Sequence, residues 1–205
     1  MGVDKAFVSL AGRPLIAHVL ERFRPQVSQV YLNAREDAER FRALGCPVVR
    51  DAPGWRGAGP LAGILAALQA AKAGGFGWLA TAPCDAPFLP LDFVARLSAQ
   101  IGEGAPAAVA VSSRGLEPMF ALWPVAAVER IEAALAAGRA SPRSVLAEMG
   151  AVLVAFAKEE NFANLNAPAD LKTAEAALAH AQGRIAHAIT PPPGAARARK
   201  LGDPH

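Results

Sequence analysis

A chain of 205 residues that is 53% hydrophobic is long enough for one domain with a substantial core and too apolar to be disordered throughout. No apolar run approaches the roughly 18 consecutive residues of a membrane span, and the first residues lack the charged-then-apolar pattern of a secretion signal. The formal charge is only +3, and the two cysteines and four histidines show no metal-ligand spacing, which suits a reducing, cytoplasmic setting.

Apolar runs alternate with helical patterns in the rhythm of a βαβ sheet, so the expected fold class is α/β. Lys5 to Leu10 reads as a short extended piece. Pro14 then opens a helix, Leu15 to Phe23, which Pro25 ends. Val27 to Leu32 reads as a strand, Arg35 to Leu44 as a polar-faced helix and Pro47 to Val49 as a very short strand. A loop rich in turn formers, 51–60, leads into a nearly continuous apolar helix, Leu61 to Ala73, that reads as buried.

Phe76 to Thr81 has the pattern of a buried strand, and the helix Leu91 to Ile101 follows the loop after it. Ala107 to Val111 and Met119 to Leu122 read as strands. Helices are expected around Val125 to Ala137 and over Pro142 to Met149, then a last strand, Ala151 to Phe156, and a last helix, Pro168 to Ala181. From about residue 183 prolines and scattered charge take over. The reading is one domain over residues 1–182 and a disordered tail over 183–205. The tail's basic residues stand without interleaved aromatics, which argues against nucleic-acid binding.

The candidate chemistry falls where strands should end. Asp85 lies in a proline-stiffened loop, Ala82-Pro83-Cys84-Asp85-Ala86-Pro87, just past the carboxyl end of a strand. In open α/β sheets that rim is where ligands sit. Asp85 either caps a turn or holds a divalent cation carrying a nucleotide's phosphates. Asp51 follows another strand to the same rim, as a nucleotide contact or a loop acid that begins a turn. Asn33 ends a third, where an amide serves a base, a ribose or its own turn.

Gly59-Pro60-Leu61-Ala62-Gly63 opens a helix whose free N–H groups suit an anion or a base edge, with Gly59 and Gly63 leaving room for approach. The competing reading is an ordinary proline at a helix start, with a small residue for close packing. Lys5 is a point-charge partner for phosphates or a surface lysine.

Five segments carry a resemblance: Met1-Gly2-Val3-Asp4-Lys5-Ala6, Leu10-Ala11-Gly12-Arg13-Pro14-Leu15, Gly59-Pro60-Leu61-Ala62-Gly63, Pro83-Cys84-Asp85-Ala86-Pro87 and Asn164-Leu165-Asn166-Ala167-Pro168-Ala169-Asp170-Leu171. In this order and at these distances the chain resembles the molybdenum cofactor guanylyltransferases of the nucleotidyltransferase superfamily, over residues 1 to about 175. The resemblance implies a Rossmann-like three-layer α/β/α fold with a mostly parallel sheet. It also implies transfer of GMP from GTP to molybdopterin, with Mg²⁺ and release of pyrophosphate.

By motif match, Lys5 contacts the phosphates, and Asn33, Asp51 and the Gly59-Pro60-Leu61 turn contact the nucleotide. Asp85 holds metal and nucleotide. Asn164 and Asn166 fall on the pterin side, and Arg143 either meets the pterin's phosphate or is a surface arginine. Rival readings are cytidylyl transfer to the same pterin, nucleotidyl transfer to a sugar phosphate, or a non-catalytic module docking on molybdoenzymes or their chaperones.

The chain departs from the family at its start. Relatives place a strand and a glycine-rich phosphate loop before the Met-Gly with which this sequence opens. Two readings are open: a native start upstream of Met1, with low activity for the 205 residues alone, or an inactive truncated relative acting as a binding module. Removing that strand is also expected to leave neighbouring strands with unpaired backbone groups. Glu117-Pro118 also stands where many relatives have His-Pro.

Overall fold

A computed structural model describes residues 5–34, 38–102, 104–157, 162, 165 and 170–176. The expected helices are those that carry the clearest punctuation. Helix α1 spans Leu15–Phe23 directly after Pro14, whose fixed φ suits a helix entrance. A five-residue helix α2, Ala38–Arg42, stands within the longer stretch the sequence suggested. Helix α3 runs Pro60–Ala73, α4 Phe93–Gly102, α5 Val128–Ala136 and α6 Pro142–Met149. Residues 170–176 are helical, inside the last helix expected. The predicted tail, 183–205, lies outside the described residues.

Strands differ more from expectation. The amino-terminal piece is a 3-10 turn, Lys5–Phe7, followed by the two-residue strands β1, Ser9–Leu10, and β2, Arg13–Pro14. The expected strand over 27–32 contracts to β3, Leu32–Asn33, because its ladder begins only where it meets β4, Val48–Val49. Strand β5 is Trp78–Thr81, β6 Ala108–Ser112 and β8 Val152–Ala155.

Strand β7, Gly115–Pro124, is far longer than the four residues expected. Glu117 faces Ala110 while Ala121 faces Val109, a register shift that leaves residues 118–120 as a bulge. Pro118 sits in that bulge, where its missing N–H costs no ladder bond.

The main sheet has the order β5-β7-β6-β8. Strand β7 is antiparallel to both β5 and β6, and β8 is parallel to β6. Hence β5, β6 and β8 share one direction and β7 alone is reversed, which qualifies the expectation of a mostly parallel sheet. Alternation then builds the layers. Ala107, Val109, Ala121 and Trp123 face α3, α5 and α6, while Ala108, Ala110, Phe120 and Leu122 face α4. A separate apolar cluster joins α1 to β3, through Ile16, Leu20, Val30 and Phe41.

Strand β3 pairs with β4, and β5 pairs with β7. Among the described residues neither has a ladder partner on its second edge.

Candidate active site

The relative direction of the two sheets follows from α3. A side chain at Gly63, near the helix start, would lie 2.6 Å from Asn33 Oδ1, and one at Gly74, just past its end, would lie 3.0 Å from the Tyr31 hydroxyl. The backbone of β3 therefore runs against α3. Strand β5 leaves the end of α3 through a short turn and packs back along the same helix, so β3, β4 and β5 point the same way. Their carboxyl ends, carrying Asn33, Asp51 and the Asp85 loop, share one rim.

Two of the sequence candidates meet directly. The Asn33 amide donates from Nδ2 to Asp51 Oδ1 at 3.0 Å, and Asp51 is 7% exposed. Burying a carboxylate requires partners, and the amide supplies one. Gly63 matters to this pair in a way that corrects the expectation. The space above it, read from the sequence as room for a ligand, is filled by the Asn33 amide itself.

The start of α3 otherwise matches its reading. Gly59 takes φ +87°, a conformation that favours glycine, and Pro60 follows as first helical residue. No side chain caps this end of α3, and the Ala62 N–H donates to the Gly59 carbonyl at 3.3 Å. Leu61 is fully buried and anchors the turn in the core.

The Asp85 loop is held from three directions. Ala86 and Leu89 are fully buried below it, and the Asp85 carbonyl accepts the Leu165 N–H at 3.1 Å. From the α1 side, Arg22 donates to the Leu89 carbonyl at 3.3 Å. The Gln26 amide donates to the Pro90 carbonyl at 2.8 Å and accepts the Val94 N–H at 2.9 Å. These ties were invisible to motif reasoning, since they join residues about 65 positions apart.

The Asp85 side chain is half-buried. Burial raises its carboxyl above the ordinary carboxylate value, while a backbone hydrogen bond and the nearby Lys5 ammonium pull the other way without prevailing. The Lys5 charge thus acts on Asp85, while Asn33 and Asp51 are bonded directly. Arg143 is exposed and donates to the Leu116 carbonyl at 3.4 Å. Its helix begins close to the site, for a side chain at Gly59 would lie 3.8 Å from the Ala140 methyl. Glu117 accepts from Ser112 Oγ at 2.8 Å and from Arg114. Asn164 and Asn166 lie outside the described residues.

Comparison with known proteins identifies the family. The family profile described as "MobA-like NTP transferase domain" matches residues 1–153. The molybdenum cofactor guanylyltransferase of Cereibacter sphaeroides is 46% identical over 177 residues, covering 86% of this chain and 89% of the relative. A protein of the same name from Rhizobium meliloti (strain 1021) is 37% identical over 195 residues, covering 90% and 88%.

The crystal structure of molybdopterin-guanine dinucleotide biosynthesis protein A from Archaeoglobus fulgidus superposes with a TM-score of 0.69 at 27% identity, covering 87% of this chain and 92% of that one. A 2-C-methyl-D-erythritol 4-phosphate cytidylyltransferase from Thermus thermophilus shares the fold, with a TM-score of 0.65 at 21% identity over 85% of this chain and 94% of that one. A nucleotidyltransferase fold, paired polar groups on one rim and a profile match over most of the chain have one common meaning: the chain belongs to the MobA-like NTP transferase domain family.

Proposed function

We propose that this chain transfers GMP from GTP to molybdopterin and releases pyrophosphate. The observation that carries the reading is the 46% identity, over most of both chains, to a molybdenum cofactor guanylyltransferase. The rim geometry supports it. A phosphate oxygen of the pterin attacks the α-phosphorus of GTP, and the bond from that phosphorus to the bridging oxygen of pyrophosphate breaks in line. The protein has little covalent work to do here, so positioning and charge compensation dominate. Lys5, beside Asp85, offsets charge that grows on the departing pyrophosphate. The Asn33–Asp51 pair and the uncapped start of α3 orient the nucleoside.

The residues present fit a hard cation. Burial leaves the Asp85 carboxylate short of solvation, and a divalent ion would relieve that. Among the described residues no group of three or more His, Cys, Asp or Glu could form a dedicated cage. Mg²⁺ suits such a site, since it is commonly held by one or two carboxylates together with phosphates and water. Mg²⁺ would supply charge neutralisation for the phosphates, and Asp85 would hold it. No helix of the described residues is long and apolar enough to cross a membrane, and both substrates proposed are small and polar.

Pyrophosphate release from GTP in the presence of molybdopterin tests the reading, scored as the ratio of variant to parent. Asp85→Asn is expected to lower the rate by at least about a hundredfold, the scale of losing a principal electrostatic contact to a transferring group. Equal rates in variant and parent, no pyrophosphate from either, or a preference for CTP would each contradict it.

A further inference from the structure

The hairpin between β6 and β7 carries a closed set of polar contacts that the proposed reaction does not use. Ser112 Oγ donates to Glu117 Oε1 at 2.8 Å and accepts the Arg114 N–H at 3.1 Å. The Arg114 guanidinium lies 3.4 Å from the same carboxylate oxygen. Ser112 is buried and the Glu117 side chain is only 18% exposed, so this carboxylate has left most of its water and needs those partners. Strands β5 and β6 point the same way, which puts the hairpin after β6 on the rim that carries Asp85.

Arg114 makes its shortest bond elsewhere. The same Nη2 donates to the Phe162 carbonyl at 2.7 Å, across 48 positions of sequence. An exposed arginine paired only with a glutamate would count for little. A charged donor on a main-chain carbonyl at that distance is of the stronger kind, and the Ser112 and Glu117 contacts hold the arginine ready for it.

What the bond fixes follows from Phe162. Its ring is buried, edge-on to Phe120 and Phe156 with centroids 4.7 and 5.1 Å away. That anchors the side chain but not the peptide group that follows. Peptide groups are planar, so holding the Phe162 carbonyl fixes the rotation on which the onward course of the chain depends. Three residues later, at most about 11 Å along the chain, the buried Leu165 donates its N–H to the Asp85 carbonyl at 3.1 Å. Arg114 and Asp85 thus grip the two ends of one short stretch.

We propose that Arg114 is a positioning residue for Asp85: its grip on the Phe162 carbonyl sets the Leu165 N–H against the Asp85 carbonyl, and thereby the carboxyl that would hold the cation. Arg114 acts in this role through the Asp85 loop and not on the substrate. The proposal deepens the nucleotidyl-transfer reading and rests on it for the cation. The link from Arg114 to Leu165 is testable without any nucleotide.

Amide exchange of the full 205-residue chain, followed by NMR, reads that link. Arg114→Met keeps the length of the side chain and removes its donors. It is expected to speed exchange at Leu165 by about tenfold, the scale of losing one charged hydrogen bond, while the amides of the β6–β7 ladder keep their rates. Arg114→Lys retains a charged donor and is expected to restore most of the protection. Calorimetric titration of GTP reads the consequence. Arg114→Met is expected to weaken GTP binding by about tenfold with Mg²⁺ and not at all without it. In an Asp85→Asn background the same substitution is expected to change nothing further, since residues acting through one contact are not additive.

Unchanged exchange at Leu165 would overturn the proposal. So would acceleration spread equally over the β6–β7 ladder, which would make Arg114 a tether of its own hairpin. Faster exchange at Leu165 with an unaltered response to Mg²⁺ would overturn it too, because other contacts would then set the Asp85 carboxyl. A parent chain that binds no GTP under either condition would contradict the nucleotide reading instead, and the exchange result would still decide whether Arg114 sets Leu165.

Discussion

Burial lifts the Asp85 carboxyl above its ordinary value, so the folded chain holds that proton more tightly than the unfolded chain does. The stability this group contributes is complete below the ordinary carboxylate range and is lost as pH rises through the raised folded value. Asp85→Asn removes the buried charge, and is therefore expected to melt at a higher temperature than the parent at neutral pH. That gain should shrink towards zero as acid protonates the parent, a trend that calorimetric melts across the acidic range would show. A reversed trend would mean that Asp85 is already well compensated.

Gly63 gives a second residue-scale prediction. Gly63→Ala removes the conformational cost of a helix-interior glycine, worth up to about 1 kcal/mol, but displaces the Asn33 amide from its seat. Because the buried Asp51 carboxylate then loses its Asn33 bond, stability should fall by up to about 2 kcal/mol in denaturant titration. GTP affinity should fall by about tenfold, the worth of a displaced hydrogen bond. Asn33, Asp51 and Asp85 were legible in the sequence because each follows a strand-like run. The nesting of Asn33 over Gly63 was not, since it depends on how β3 packs along α3.

At the scale of elements, punctuation decided what was readable. Pro14 and Pro142 mark the starts of α1 and α6, and Gly150 in the left-handed region closes α6, so the sequence bounds of both helices stand. Strand lengths were less legible because a ladder ends where its partner ends. Strand β3 is short because β4 is short, and β7 is long because β5 and β6 both flank it.

Gln26 was silent in the sequence yet joins α1 to the start of α4. Gln26→Ala leaves the Pro90 carbonyl and the Val94 N–H without their partner, an expected cost of about 1–3 kcal/mol in denaturant unfolding. Gln26→Glu keeps the acceptor for Val94 and should fall between the two.

The whole molecule is built from separate apolar clusters. The β6–β7 region is packed on both faces, whereas the cluster of α1, α2 and β3 is smaller and distinct. Local stability follows packing, so amide exchange over 27–33 and 48–49 is expected to outpace that over 108–112 and 120–123. Uniform protection would imply one cooperative unit. Composition and alternation made the α/β class legible; the reversal of β7 was not, because strand direction depends on tertiary connections that alternation does not record.

The central claim is that Lys5, Asn33, Asp51 and Asp85 act together at one rim on magnesium-bound GTP. Calorimetric titration of GTP into the parent chain and into Asp85→Asn, with and without Mg²⁺, tests it most directly. The expected result is binding that Mg²⁺ strengthens in the parent and leaves unchanged in the variant. An equal response to Mg²⁺ in both proteins would contradict the account.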